Sequence, residues 1–338
     1  MDTIYVEDEI RDHPRVLKIL ARHPKSSVVS CERYSEVFNV RAQNFRLQKK
    51  RPALILAKKH GKFVLPTPPD YSIGAAKNVY FSHMLNCLYD CRYCFLQGMY
   101  QSANYVHFVN AEDYQTAIRE EVALVSEGNS PTCFFSGYDC DSLALESLTG
   151  FAAEFAPFFQ TLDPEKAWLE LRTKSVNISP ILALDPTPNI ITAFSLTPDS
   201  VARKIEHGAA PIKNRINSIR SLTQQGWNVG LRLDPLISSD NFEAEYRELL
   251  EQIFAAVADV ELVHSVTVGP LRFPTAMYDK IARLYPEEPM LADFSLVENR
   301  ETNRVSYDEE TEARQEDFVV QELLKFMPAN RIFRQEDS

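Results

Sequence analysis

Three cysteines fall within the stretch "NCLYDCRYC": Cys87, Cys91 and Cys94. Three thiols at this spacing cannot complete the four-ligand set of a structural zinc site unaided, nor can three pair off as disulfides. A C-x3-C-x2-C loop can instead ligate three irons of a [4Fe–4S] cube and leave the fourth iron open to a small molecule. The alternative is zinc completed by a distant ligand such as His83 or His107. Structural zinc more often takes paired thiols from two knuckles.

A second group of candidates follows in "FFSGYDCDS". Ser136 and Gly137 form a small turn at a predicted strand end, where backbone can approach a ligand closely, and Tyr138 and Cys140 come directly after. Lys174, Ser195 and Asp234 end three further predicted strands, with Arg232 near the last.

These residues need a frame that brings strand ends together. Beyond a Pro-rich turn at 66–70, β-branched and aromatic runs alternate with stretches of helical periodicity, as in repeated βα units. Strands are expected at "VYFSHML", "TCFFSG", "AWLELRT", "IITAFSL", "VGLRLDPLI" and "VHSVTVGPL". Helices are expected over 112–127, 143–160, 178–184, 213–225, 242–258 and 276–284, with Gly128 and Gly226 as caps. Six repeats predict an α/β fold, a partial (β/α)6 TIM-like barrel that keeps its chemistry where strands end. Boundaries are expected at 1–75 for a small N-terminal α/β segment, 76–290 for the barrel and 291–338 for a C-terminal extension.

Composition narrows the setting. The chain has 338 residues, 45% of them hydrophobic, and six cysteines. No signal-peptide pattern or membrane-length apolar run is read, so a cytoplasmic, reducing location with no membrane partner is expected. A net charge of −11 argues against non-specific coating of nucleic acid. The strip "RLQKKRPALILAKKHGK", by contrast, carries seven Lys or Arg and no acid. It suits either phosphates or a solvated strand edge.

The loop "CLYDCRYC" resembles that of the radical S-adenosylmethionine (SAM) superfamily. The resemblance implies a [4Fe–4S] cluster on Cys87, Cys91 and Cys94 and SAM chelated to the open iron. It also implies SAM contacts from Ser136, Gly137, Lys174, Ser195 and Asp234. Beyond the superfamily, "CLYDCRYCFLQ", "DSLALESLT", "R-x-T-K" and the stretch from "AFSLTPDSVARKIEHG" to "VGLRLDPLI" resemble the spore photoproduct lyase family. Its members use a deoxyadenosyl radical to open a methylene-bridged thymine dimer in DNA, and a cysteine, helped by tyrosines, returns a hydrogen atom. By that resemblance the chain is expected to be a carbon–carbon lyase acting on a pyrimidine photoproduct, served by a reducing donor such as flavodoxin or ferredoxin.

The chain departs from the family in places. Tyr93 matches the tyrosine inside the motif, but Phe95 stands where relatives carry another. Tyr138 stands at the donor cysteine's position and Cys140 at the following serine's, so either is a candidate donor. The late segment "VENRETNRVSYDEETEARQED" is acidic where relatives are basic, which weakens a DNA partner, although Arg300, Arg304 and Tyr307 are candidate strand contacts. Two alternatives stand beside the lyase: a radical SAM enzyme acting on a non-DNA substrate, and a non-catalytic Fe–S or zinc protein that binds nucleic acid.

Overall fold

Alternation decides which face of each strand is apolar. In "AWLELRT", Leu169 and Leu171 point to one side while Glu170 and Arg172 point to the other. The same period of two runs through its neighbours, so one face of the sheet packs on helices and the other encloses polar groups. The computed structural model describes residues 1–68, 71–126, 130–293 and 295–335.

Six parallel strands form the centre of an eight-stranded sheet that curls into a half-barrel. They are β1 (Lys77–Tyr80), β2 (Thr132–Phe135), β3 (Ala167–Thr173), β4 (Ile190–Ser195), β5 (Asn228–Leu236) and β6 (Val263–Pro270). They lie side by side in sequence order. A short antiparallel strand, Leu65–Pro66, covers the β1 edge, and Ile332–Arg334 runs parallel to β6 at the other. The expected six-unit rhythm is thus the centre of the sheet, and both flanks add an edge strand that periodicity did not show.

The outer face is covered by α1 (Ala111–Ala123), α2 (Phe151–Gln160), α3 (Ile212–Gln224), α4 (Phe242–Phe254) and α5 (Glu309–Leu323). Phe155, Ile219, Leu222, Tyr246, Leu249 and Val319 from these helices join Leu169, Leu231 and Val266 from the strands in one core. Each such side chain contributes about 1.5–3 kcal/mol by leaving water. Several helices are shorter than expected: 178–184 is reduced to Ser179–Leu182 and 242–258 ends at Phe254. The run 143–160 is broken at Gly150, whose φ of +66° lies in the left-handed region, leaving Glu146–Thr149 and α2 as separate turns. α1 ends at Ala123, and the proposed cap Gly128 lies outside the described residues. Gly226, with φ +90°, does close α3, since the Trp227 N–H donates to the Leu222 carbonyl at 3.0 Å.

The inner face is filled differently. Cys133, Phe135 and Ile191 pack with Ile73 and Trp168. Above them Arg232, fully buried, pairs with the equally buried Glu170 at 2.7 Å and donates to Ser265 Oγ at 3.0 Å. Gly230 leaves the room: a Cβ there would sit 2.6 Å from the Arg232 guanidinium. Arg232 is therefore part of the barrel filling, not of its rim.

A second sheet of five strands lies beside the half-barrel, in the order Ser27–Cys31, Thr3–Glu7, Leu54–Ala57, Tyr105–Phe108, Met84–Leu85. The run "VYFSHML" splits between the sheets: its first part is β1, and Met84–Leu85 pairs antiparallel with Tyr105–Phe108. Those last two strands bracket the three-cysteine loop, so this sheet grips both of its ends. Among the described residues no helix is long and apolar enough to cross a membrane.

Candidate active site

The three-cysteine loop is braced from several sides. Asn86, at φ +68°, donates through its amide to the carbonyls of Ser102 at 2.7 Å and Asn104 at 2.8 Å. Lys49, from the basic strip, donates to the carbonyls of Cys87 at 2.7 Å and Tyr89 at 2.9 Å. In the middle of the loop, Asp90–Cys91 pairs as a short strand with Glu206–His207. The Tyr93 hydroxyl donates to Glu206, which pairs with Arg215 at 2.5 Å, both buried. Arg215 in turn donates to the Ser195 carbonyl at 2.9 Å. The thiol loop is thereby tied to the end of β4.

The loop faces a cavity of about 410 Å³ at the C-terminal ends of the parallel strands, within the size range of small-molecule sites. Cys87, Cys91, Cys94, Tyr93, Gly137, Tyr138, Cys140, Lys174, Ser195 and Asp234 all line it. Ser136 alone of the expected residues does not. It is fully buried, its hydroxyl bonded to Ser142 Oγ and to the Glu170 carbonyl, each at 2.8 Å. Gly137 sits in a tight spot: a Cβ there would lie 3.0 Å from the Arg172 carbonyl and from Ser142 Oγ.

Burial pushes the Cys87 thiol up to about 12 and raises Cys91 and Cys94 as well. Such thiols ionise readily only against a cationic centre. Among the described residues no three His, Cys, Asp or Glu groups are close enough to hold a single metal ion. A mononuclear zinc with Zn–S bonds of about 2.3 Å would need that convergence. His83 and His107 serve elsewhere. The His83 ring stacks on Phe151 at 3.6 Å, and His107 contacts the His83 carbonyl at 3.3 Å.

Lys174 stands with its ammonium 5.3 Å from the Tyr93 ring and pairs with no carboxylate among the described residues. Burial opposes its charge, but Cys91 and Glu206 outweigh this and hold it above the ordinary lysine range. Ser195 Oγ accepts a long contact from Arg172 Nε at 3.5 Å. Arg172 also donates to the Tyr71 hydroxyl at 2.6 Å and pairs with Asp234, whose other oxygen accepts from Thr267 Oγ1 at 3.0 Å. Asp234 thus has partners on both oxygens.

Cys140 Sγ lies 3.9 Å from both ring nitrogens of His83, and burial raises its thiol well above the ordinary range. Tyr138 stacks on Tyr80 at 4.3 Å and meets Phe95 at 5.7 Å. Asp141, between them and β3, accepts from Thr173 Oγ1 at 2.7 Å and from the N–H groups of Leu143, Ala144 and Lys174. Its work is to lock the second loop to the third strand's end. Tyr307 is buried, its hydroxyl accepting from the Ser238 N–H at 3.1 Å, so it cannot stack a base in this conformation.

Sequence reasoning missed Lys49, Glu206, Arg215, Tyr71 and the bracing role of Arg172. A surplus of cations around residue 49 was visible, but not that one would turn onto the thiol loop.

Known proteins place this arrangement. The spore photoproduct lyases of Clostridium acetobutylicum and Bacillus subtilis are 25% identical over 210 residues and 24% identical over 212. Each match covers 61% of this chain, and the chain spans 60% of the length of these curated relatives. Among solved structures, a spore photoproduct lyase mutant with bound AdoMet and dinucleoside spore photoproduct superposes with a TM-score of 0.83 at 17% identity. A spore photoproduct lyase complexed with dinucleoside spore photoproduct gives 0.81 at 16%. Both superpositions cover 100% of this chain and 98% of the other, so the half-barrel and its flanking sheet are one shared fold. The sequence pattern of the family, described as spore photoproduct lyase, matches residues 4–328, which takes in every lining residue named above; the chain belongs to the spore photoproduct lyase family.

Proposed function

We propose that this chain is a radical SAM lyase that reverses a pyrimidine photoproduct in DNA. One observation carries the reading: three loop thiols, an ammonium with no carboxylate partner among the described residues and a protonated cysteine line a single cavity at the strand ends. Cys87, Cys91 and Cys94 would hold three irons of a [4Fe–4S] cluster. When bound, the cluster and SAM supply one electron and a 5′-deoxyadenosyl radical able to take hydrogen from an unactivated carbon. Lys174 would pair with the SAM carboxylate, and Ser195 and Asp234 would orient its amino acid or ribose. Arg172, by clamping Asp234, fixes that side of the cavity. Cys140 would return the hydrogen atom at the end, and its buried, protonated thiol suits that task. A reduced flavodoxin or ferredoxin would supply the electron, and six free cysteines suit a reducing compartment such as the cytoplasm.

The acidic late segment and the buried Tyr307 favour a second reading, the same radical chemistry on a substrate other than duplex DNA. The test is anaerobic incubation of reduced enzyme and SAM with UV-irradiated DNA labelled at thymine C6. Restored thymine and label in 5′-deoxyadenosine are expected. SAM cleavage without lesion reversal would favour the second reading, and no SAM cleavage would discard both.

A further inference from the structure

The basic strip is only partly used by the site above. Helix Phe45–Lys50 leans on the thiol loop through Lys49. Leu47 on that helix is 61% exposed, and Leu88, between the two carbonyls that Lys49 holds, is 41% exposed. Leu88 therefore stands in water next to a ligand cysteine, and Leu47 is exposed on the helix that braces the loop.

The neighbouring cations fall into two sets. Arg46 is engaged by Glu287 at 2.5 Å and Lys58 by Glu9 at 2.6 Å. Lys50 and Arg51 are exposed and make no ion pair among the described residues. No acid occurs from residue 37 to residue 69, in a chain of net charge −11. The strip is a run of positive charge within an acidic chain.

We infer that Leu47, Leu88, Lys50 and Arg51 form the docking surface for an acidic one-electron carrier protein, which reduces the cluster through the Cys87 end of the thiol loop. The inference rests on the function proposed above and adds to it the place of electron entry. An apolar centre with a charged rim is the make-up of a specific protein contact, and the positive rim steers an acidic partner. A phosphate backbone would use the cations but gain little from two exposed leucines. The step balances simply: the carrier loses one electron, the cluster gains it, and no bond or proton moves.

The probe is reduced flavodoxin, an acidic carrier, and the readout is bleaching of the cluster's visible absorption, with dithionite as the small control reductant. The Lys50→Glu/Arg51→Glu pair is expected to slow reduction by flavodoxin on the order of tenfold or more, and added salt should shrink that difference. Leu47→Asp should slow it as well, while dithionite reduces every variant like the parent. Unchanged flavodoxin rates in these variants would overturn the docking surface alone. Loss of DNA binding with an unchanged flavodoxin rate would also overturn it and give the strip to phosphates. A parent enzyme that dithionite cannot reduce would sink both the proposed function and this inference.

Discussion

Burial holds the Cys140 thiol protonated, and the face of a buried His83 ring beneath it offers no base: burial and His107 keep that imidazole well below its ordinary range. A neutral S–H is a hydrogen-atom donor, whereas a thiolate is a nucleophile. Tyr138, which the resemblance puts at the donor cysteine's position, stacks on Tyr80 and meets Phe95 at a tilt, which suits a wall of the cavity. Replacing Cys140 with Ala is therefore expected to raise uncoupled or rearranged products severalfold while SAM cleavage continues. Tyr138→Phe should leave the product distribution close to that of the parent, as chromatography of the digested DNA would show; the reverse pattern would make Tyr138 the donor. At the other wall, Lys174→Met would remove the charge-assisted bond proposed to the SAM carboxylate, worth about 1.5–3 kcal/mol. SAM affinity should fall on the order of 10–100-fold with iron content unchanged. Equal affinity by calorimetry would remove Lys174 from that role.

Strand β3 shows how one element serves stability and chemistry at once. Its Leu169 and Leu171 anchor the outer core, Glu170 balances Arg232 inside, and Arg172 and Lys174 reach the cavity. Glu170→Ala would leave the Arg232 guanidinium buried without its counter-charge, at a cost of about 3–5 kcal/mol. Glu170→Ala combined with Arg232→Met should recover most of it, because an apolar filling replaces an ion pair at little cost. Chemical denaturation of the three proteins would test this, and a double variant no more stable than Glu170→Ala would refute it. This division of labour was half legible from sequence. The alternation in "AWLELRT" and the spacing "CLYDCRYC" placed a strand and a thiol loop by local rules alone. What could not be read depended on contacts between distant segments. Tyr105–Phe108 looks like an ordinary apolar run until it pairs with Leu54–Ala57. Glu206 and Arg215 carry no visible signal until the chain folds them under Tyr93. Ser136 shows the same limit: its hydroxyl is taken up by Ser142 and β3, which no spacing announces.

At the scale of the whole molecule, the two sheets bury histidines that must be neutral when the chain is folded. His107, in the five-stranded sheet, and His264, on the inner face of the half-barrel against Trp168, are both held down to about 4 by burial first. An unfolded histidine titrates near pH 6.5, so between about pH 6.5 and 4 the unfolded chain binds protons that the folded chain refuses. By linkage, stability is fully present above that window and falls as pH drops through it. Each group contributes on the order of 3 kcal/mol across the full window. Asp139, Asp141 and Glu146 work in the opposite direction, since burial raises their carboxyls and favours proton uptake in the folded state. The net acid loss should therefore be smaller than the histidines alone would give. His83 adds to the histidine side in the same direction. The denaturation midpoint is thus expected to decline as pH is lowered from about 7 to about 5. His264→Phe, which keeps the ring against Trp168 and removes the titration, should flatten that decline measurably. An unchanged slope would mean that His264 does not contribute to the acid limb.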